Sequence, residues 1–368
     1  MAVYTEVTDD ALAAFLEGYD IGRMVAFRGI AEGVENSNYS LRTTEGDFIL
    51  TLYERRVDPA DLPWFLGLME HLAAKSLPCP LPVRARDGAN LNPLAGRIAA
   101  ITTFLPGVWP RRPTVAHCGP LGAAMARMHL AGEDYAPTRA NALGPQGWPP
   151  LLARCGDSGD AVRPGLTGEV RTALDATLAA WPGALPRGHI HADLFPDNVF
   201  FLDHAISGLI DFYFAATDLY AYDIAVCLNA WCFEPDFSFN ITKSRALLRG
   251  YQAVRPLSAA ETEALPVLCR GAAIRFLLTR LYDWINTPDD ALDAQGPARL
   301  LLAPALSPAG GIGGRLWRLS RADWSRSGPM AAASPIRAPA AGRRFCASAR
   351  RNGKCPAPSA RPPTTAWN

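Results

Sequence analysis

The chain lacks any apolar run of the roughly 18 residues that a membrane-spanning helix requires. Its first stretch holds Glu6, Asp9, Asp10 and Glu17 where a leader peptide would be basic and then apolar. A cytoplasmic protein without membrane contact is the expectation. Paired cysteines are also missing: Cys79, Cys118, Cys155, Cys227, Cys232, Cys269, Cys346 and Cys355 are far apart and form no C-x-x-C. That argues against a zinc site or a disulfide framework and leaves most of them as small buried hydrophobes. Acids all but vanish from Ala298 onward, where 12 Lys or Arg face the single acid Asp323. The formal charge of +1 thus conceals a body at −10 over residues 1–297 and a tail at +11. A mildly acidic body argues against nucleic acid as its ligand. There is no internal repeat.

What is present is enough apolar material, 49% of 368 residues, for one large core or two medium ones. Residues 8–19 read as a helix capped by Thr8, with Leu12, Phe15 and Leu16 at helical spacing. Residues 38–43 and 47–53 read as a hairpin turning at Thr44-Glu45-Gly46. Residues 61–75 have helical periodicity, Pro-rich punctuation follows at 78–82, and 97–105 is a further strand ended by Pro106-Gly107. Helices are then expected at 119–129, 168–181, 222–231, 242–254 and 259–286, with two short strands at 199–201 and 208–210. A sheet-rich first third before a helical remainder implies an α+β, two-lobed fold with a cleft at the junction. The expected domains are a nucleotide-binding lobe at 1–106, a helical catalytic lobe at 107–292 and a low-complexity basic tail at 293–368.

The densest chemistry lies in His191-Ala192-Asp193-Leu194-Phe195-Pro196-Asp197-Asn198, followed after a short hairpin by Asp211-Phe212-Tyr213. Phosphoryl transfer asks for one group to orient the attacking hydroxyl and for oxygen ligands to hold magnesium on the phosphates. In an H-x-D-x-x-x-x-N loop the Asp can accept the hydroxyl proton while the Asn amide oxygen reaches Mg2+. The strands around Val199 and Leu209, turning at Asp203-His204, would return Asp211 to Asn198 as a second metal ligand. Singly, Asp193 and Asp197 would pass for turn acids and His191 for a core histidine; jointly, at this spacing, they point to an ATP-dependent kinase.

This loop resembles that of the aminoglycoside-phosphotransferase-like kinases, relatives of the protein kinases, and the chain resembles the bacterial homoserine kinases among them. The segments that carry the resemblance are 29–39, 49–54, 104–113, 191–201, 208–215, 222–234 and 276–288. The resemblance implies a protein-kinase-like fold, with a small antiparallel-sheet N-lobe and a larger helical C-lobe. It also implies ATP and Mg2+ as cofactors and phosphorylation of L-homoserine on the way to threonine. It makes Asp193 the catalytic base, His191 a loop organiser, Asn198 and Asp211 the magnesium ligands, and Asp223 a helix-start acid bonding the catalytic-loop backbone.

The chain departs from the protein-kinase pattern twice. The third strand offers no Lys, reading Phe48-Ile-Leu-Thr51, so Arg55 or Arg56 is the candidate phosphate contact and Glu70 the partner-helix acid. Gly29 and Gly33 do not make G-x-G-x-x-G, so Asn36, Ser37 and Asn38 are the candidate phosphate donors, although a polar hairpin loop would look the same. Adenine is expected against residues 98–104, with backbone groups from Thr103 to Leu105 on the purine edge. A homoserine pocket needs an Arg and an acid beside the base; Arg275, Arg280 and Asp283 on the C-terminal helix are the candidates, with helix-surface charges as the alternative. Another small alcohol, such as an aminoglycoside or choline, and a catalytically silent nucleotide-binding module are the competing functions.

The tail has a separate expectation. From about Asp293 it reads as the same gene translated in a shifted frame: helical periodicity stops, the resemblance ends, and Ala, Pro, Gly, Ser and Arg dominate. A stretch encoding Thr-Pro-Lys-Asp-Pro-Leu-Glu, read from a base upstream, gives Asp293-Ala-Gln-Gly-Pro-Ala-Arg299. A genuine basic tail for acidic partners is the alternative.

Overall fold

The computed structural model describes residues 5–30, 36–54 and 58–286. Helix α1 (Asp9–Leu16) precedes strands β1 (Met24–Gly29), β2 (Ser37–Thr43) and β3 (Gly46–Tyr53). Helix α2 (Leu62–Ala74) and strands β4 (Asn92–Leu94) and β5 (Arg97–Thr103) complete this part. The strands make one antiparallel sheet in the order β1-β2-β3-β5-β4. Along β2 the period-2 alternation buries Ser37, Tyr39, Leu41 and Thr43. The β2–β3 hairpin closes on Thr44 and Glu45, one residue tighter than the sequence suggests. Thr8 caps α1 by accepting the Ala11 N–H at 3.2 Å, and Leu12 and Leu16 then pack on Leu41, Leu50, Leu52, Ala99 and Ile101. Each such leucine contributes about 1.5–3 kcal/mol by leaving water.

The rest is mainly helical: α3 (Val115–Ala131), α4 (Trp148–Cys155), α5 (Gly159–Val162), α6 (Leu166–Ala179), α7 (Tyr220–Trp231), α8 (Ile241–Gln252) and α9 (Ala259–Asn286). Between α6 and α7 lie β6 (Arg187–Ile190), β7 (Val199–Leu202), β8 (Ala205–Leu209) and β9 (Ala216–Leu219), paired antiparallel as β6 with β9 and β7 with β8. Asp203 and His204 at the β7–β8 turn both adopt left-handed backbone, as a two-residue hairpin turn requires. α3 and α8 touch backbone to backbone, because a Cβ on Gly122 would meet the Leu247 carbonyl oxygen at 2.1 Å. The fold is thus the two-lobed α+β arrangement expected.

α2 belongs to the sheet part by sequence but not by packing. Its Phe65, Leu66, Leu68, Met69 and Leu72 join the large helical core with Met125, Leu194, Phe212 and Ile224. The lobes meet again at Gly107 (φ 143°), where the chain leaving β5 passes so close to the β7–β8 hairpin that a Cβ would meet Ser207 Oγ at 2.3 Å. β1, β4, β6 and β9 are elements the sequence reading did not find. Among the described residues no helix is long and apolar enough to cross a membrane. Arg55, Arg56, Gly33 and the tail from Asp293 lie outside the described residues.

Candidate active site

The loop after β6 bends at Ala192, whose φ of 62° is left-handed although the residue is not glycine. Such a conformation persists only where neighbours fix it. From one side Asp223, in the first turn of α7, accepts the Ala192 N–H at 2.8 Å and the His191 N–H at 3.0 Å. From the other side the Arg275 guanidinium of α9 donates to the Ala192 carbonyl. Burial would raise the Asp223 carboxyl, but the His129 hydrogen bond and charge, with the His191 backbone, hold it below the usual carboxylate range. His129 Nε2 lies 3.0 Å from Asp223 Oδ2, and both residues are completely buried.

His191 ties this loop to the segment that carries Asp211. Its Nε2–H donates to the Ile210 carbonyl at 2.9 Å, and its ring packs on Phe212 at 4.6 Å. Burial pushes the imidazole down to about 4, so it is neutral near pH 7, with Nδ1 a buried acceptor without a partner.

Asp193 follows the bend. Asn198 Nδ2 donates to its carbonyl at 2.8 Å and to Oδ2 at 3.1 Å, and Arg275 Nη2 lies 3.9 Å from Oδ1. Burial raises the carboxyl to about 6 against the pull of Arg275 and Arg280, with Asp197 adding to the rise. The result is a carboxylate still ionised at neutral pH and more basic than a surface one, suited to take a proton from a hydroxyl.

Because the Asn198 Nδ2 is committed to Asp193, its Oδ1 is the amide atom left for a metal. The Ile210 N–H bonds the Asn198 carbonyl at 3.0 Å, which brings the exposed Asp211 alongside. An amide oxygen and a carboxylate fit magnesium, a hard ion that takes one or two protein ligands and completes its shell with phosphate and water.

Other expected contacts are engaged elsewhere. The Ser37 hydroxyl donates to Glu54 at 2.7 Å, Asn36 Oδ1 accepts the Glu54 N–H at 3.3 Å, and Asn38 Oδ1 accepts from Thr51 at 2.8 Å. These contacts tie the start of β2 to β3 and its end through the Ser37 hydroxyl and the Oδ1 atoms of Asn36 and Asn38, and do not involve the Asn36 and Asn38 Nδ2 donors. Glu70 pairs with Arg84 at 2.6 Å and accepts from Asn90 at 3.4 Å. The Thr103 N–H bonds the Leu81 carbonyl at 3.0 Å, so its amide is not offered to a purine, whereas Leu105 lies beyond the sheet against Gly208. Arg275 is buried behind Asp193, so it supports the loop and does not line an open pocket. Arg280 is exposed beside Phe195 and Phe276 and acts on the Asp193 charge; Asp283 is half-buried one turn on.

Three further residues carry no signal in the sequence. His129 is hidden in an apolar helix, and Arg139, which pairs with Asp61 at 2.7 Å and donates to the Ala215 carbonyl, sits in a loop. Tyr53 reads as a plain strand aromatic.

A two-lobed fold with this loop defines a phosphotransferase of the kinase type, and the phosphotransferase enzyme family profile matches residues 26–257. The chain belongs to that family. Its curated relatives include a homoserine kinase of Granulibacter bethesdensis, 71% identical over 292 residues, covering 79% of this chain and 92% of the relative. Another, from Gluconacetobacter diazotrophicus, is 67% identical with 79% and 92% covered. Among solved structures, an amicoumacin kinase superposes with a TM-score of 0.64 at 16% identity, covering 80% of this chain and 91% of that one. A spectinomycin phosphotransferase does so with 0.61 at 10%, covering 84% and 98%. Both share the fold.

Proposed function

We propose that this enzyme phosphorylates L-homoserine with ATP, giving ADP and O-phospho-L-homoserine, a step towards threonine. The observation that carries the reading is the Asp193 carboxylate, fixed between Asn198 and Arg275, in a chain 71% identical to a homoserine kinase. Asp193 accepts the substrate hydroxyl proton as the oxygen attacks the γ-phosphorus and ADP leaves. Asn198 Oδ1 and Asp211 would hold magnesium, which neutralises charge on the phosphates. His191, Asp223 and Arg275 keep the loop in its strained bend. Arg280, and not Arg275, is the residue offered to the substrate carboxylate, with Asp283 for its ammonium group. The expected boundaries remain 1–106 for the nucleotide lobe and 107–292 for the catalytic lobe.

A turnover panel tests this. With Mg2+ and ATP, L-homoserine should release ADP and form the O-phospho product, while choline and an aminoglycoside should not. Preference for either of those, or no homoserine-dependent ADP release by ATP-binding protein, would overturn the assignment.

A further inference from the structure

Asp211 lies between two anchors and has a left-handed backbone (φ 63°, ψ 61°), which an L residue with a side chain keeps only under constraint. On the N-terminal side, Ile210 is tied to the catalytic loop by His191 and Asn198. On the C-terminal side, Tyr213 reaches the sheet. Its hydroxyl lies 2.7 Å from that of Tyr53 at the end of β3, and the two rings meet edge to face at 5.2 Å. Phe65 of α2 packs on the same ring at 5.7 Å.

Either phenol of the Tyr53–Tyr213 pair can be the donor. The Thr51 hydroxyl, two residues before Tyr53 on β3, donates to Asn38 Oδ1 at 2.8 Å. The Asp211 carboxylate lies within electrostatic reach of both phenols. A neutral phenol ends the strand on which protein kinases place a lysine, and a neutral group cannot offset phosphate charge. What it can do is hold the segment that carries Asp211.

We propose that the Tyr53–Tyr213 hydroxyl pair is a positioning device that fixes the Asp211 carboxylate for magnesium and so couples metal–nucleotide binding to β3. The proposal rests on the reading of Asp211 as a metal ligand. Neither tyrosine touches the reacting atoms; both act through Asp211.

Calorimetric titration of the full chain with ADP, with and without Mg2+, tests it in Tyr53→Phe, Tyr213→Phe, the double variant and Asp211→Asn. Phenylalanine keeps the ring packing and removes only the hydroxyl. Metal-free ADP affinity should be unchanged, while the gain in affinity on adding Mg2+ should fall about fivefold in each single variant, the net worth of one hydrogen bond. The double variant should be no worse than the poorer single one, because either change breaks the same bond. Equal losses with and without Mg2+ would overturn the proposal, as would losses that multiply in the double variant. If Asp211→Asn lowers the magnesium gain and the tyrosine variants do not, the positioning role fails and the ligand assignment stands. If Asp211→Asn leaves the gain intact, the ligand assignment itself falls.

Discussion

At Asp193 burial and charge pull in opposite directions, and the balance leaves an ionised carboxylate with raised basicity. Asp193→Asn keeps the shape and the Asn198 contact but cannot take a proton. Its turnover should fall by about 10²-fold or more with ATP binding retained, read by steady-state kinetics beside nucleotide titration. His191 supports a pH prediction. Its folded value of about 4 lies below the ordinary value near 6.5, so the unfolded chain takes up a proton that the folded one refuses. The stability this residue contributes is therefore complete above about pH 6.5 and is lost as pH falls towards 4. Thermal midpoints should drop across that window, and His191→Gln, which can still donate to the Ile210 carbonyl, should flatten the drop. At this scale the spacing of His191, Asp193, Asn198 and Asp211 was legible, because each is fixed by a short local path. The burial of Arg275 was not, since a helix pattern does not say which arginine faces the core side of a loop.

Helix α7 works as a support, because its first turn brings Asp223 beneath the bend at Ala192. Asp223→Ala would strand two buried N–H groups and His129 together. A stability loss of about 3–5 kcal/mol in denaturant unfolding is expected. The long helices were readable from their apolar period, and the β2–β3 hairpin from its alternation. β6 and β9 were not, because Arg187-Gly-His-Ile and Ala216-Thr-Asp-Leu are four residues each, without alternation, and become strands only by pairing with each other. β1 is an edge strand whose side chains are mostly exposed, so no buried face marks it in the sequence. The phase of β2 buries Ser37, which a polar-turn reading does not anticipate.

At the scale of the molecule, two apolar cores divide the work: one stiffens the sheet under α1, the other joins α2 to the catalytic helices. Every site residue named lies at or before Asp283, and the homoserine kinase relatives match 79% of the chain. Truncation after Leu292 should therefore leave homoserine turnover unchanged, checked by the same ADP-release assay; a large loss would show that the tail contributes. Sequencing the gene tests the shifted frame. A one-nucleotide correction should restore an amphipathic helix after Asp293, and a corrected frame that gives an immediate stop or more low-complexity sequence would overturn that expectation.

The close passage at Gly107 has a mechanical consequence. Val108 and Phe201 exchange backbone hydrogen bonds at 3.0 and 2.9 Å, while the Phe104 N–H bonds the Asp47 carbonyl at 3.3 Å. The connector is thus riveted to the helical lobe just after the glycine and to the sheet three residues before it. Only Leu105, Pro106 and Gly107 lie between the rivets, and proline stiffens one of them. Any opening or closing of the cleft must then concentrate the backbone rotation of this connector in those three residues.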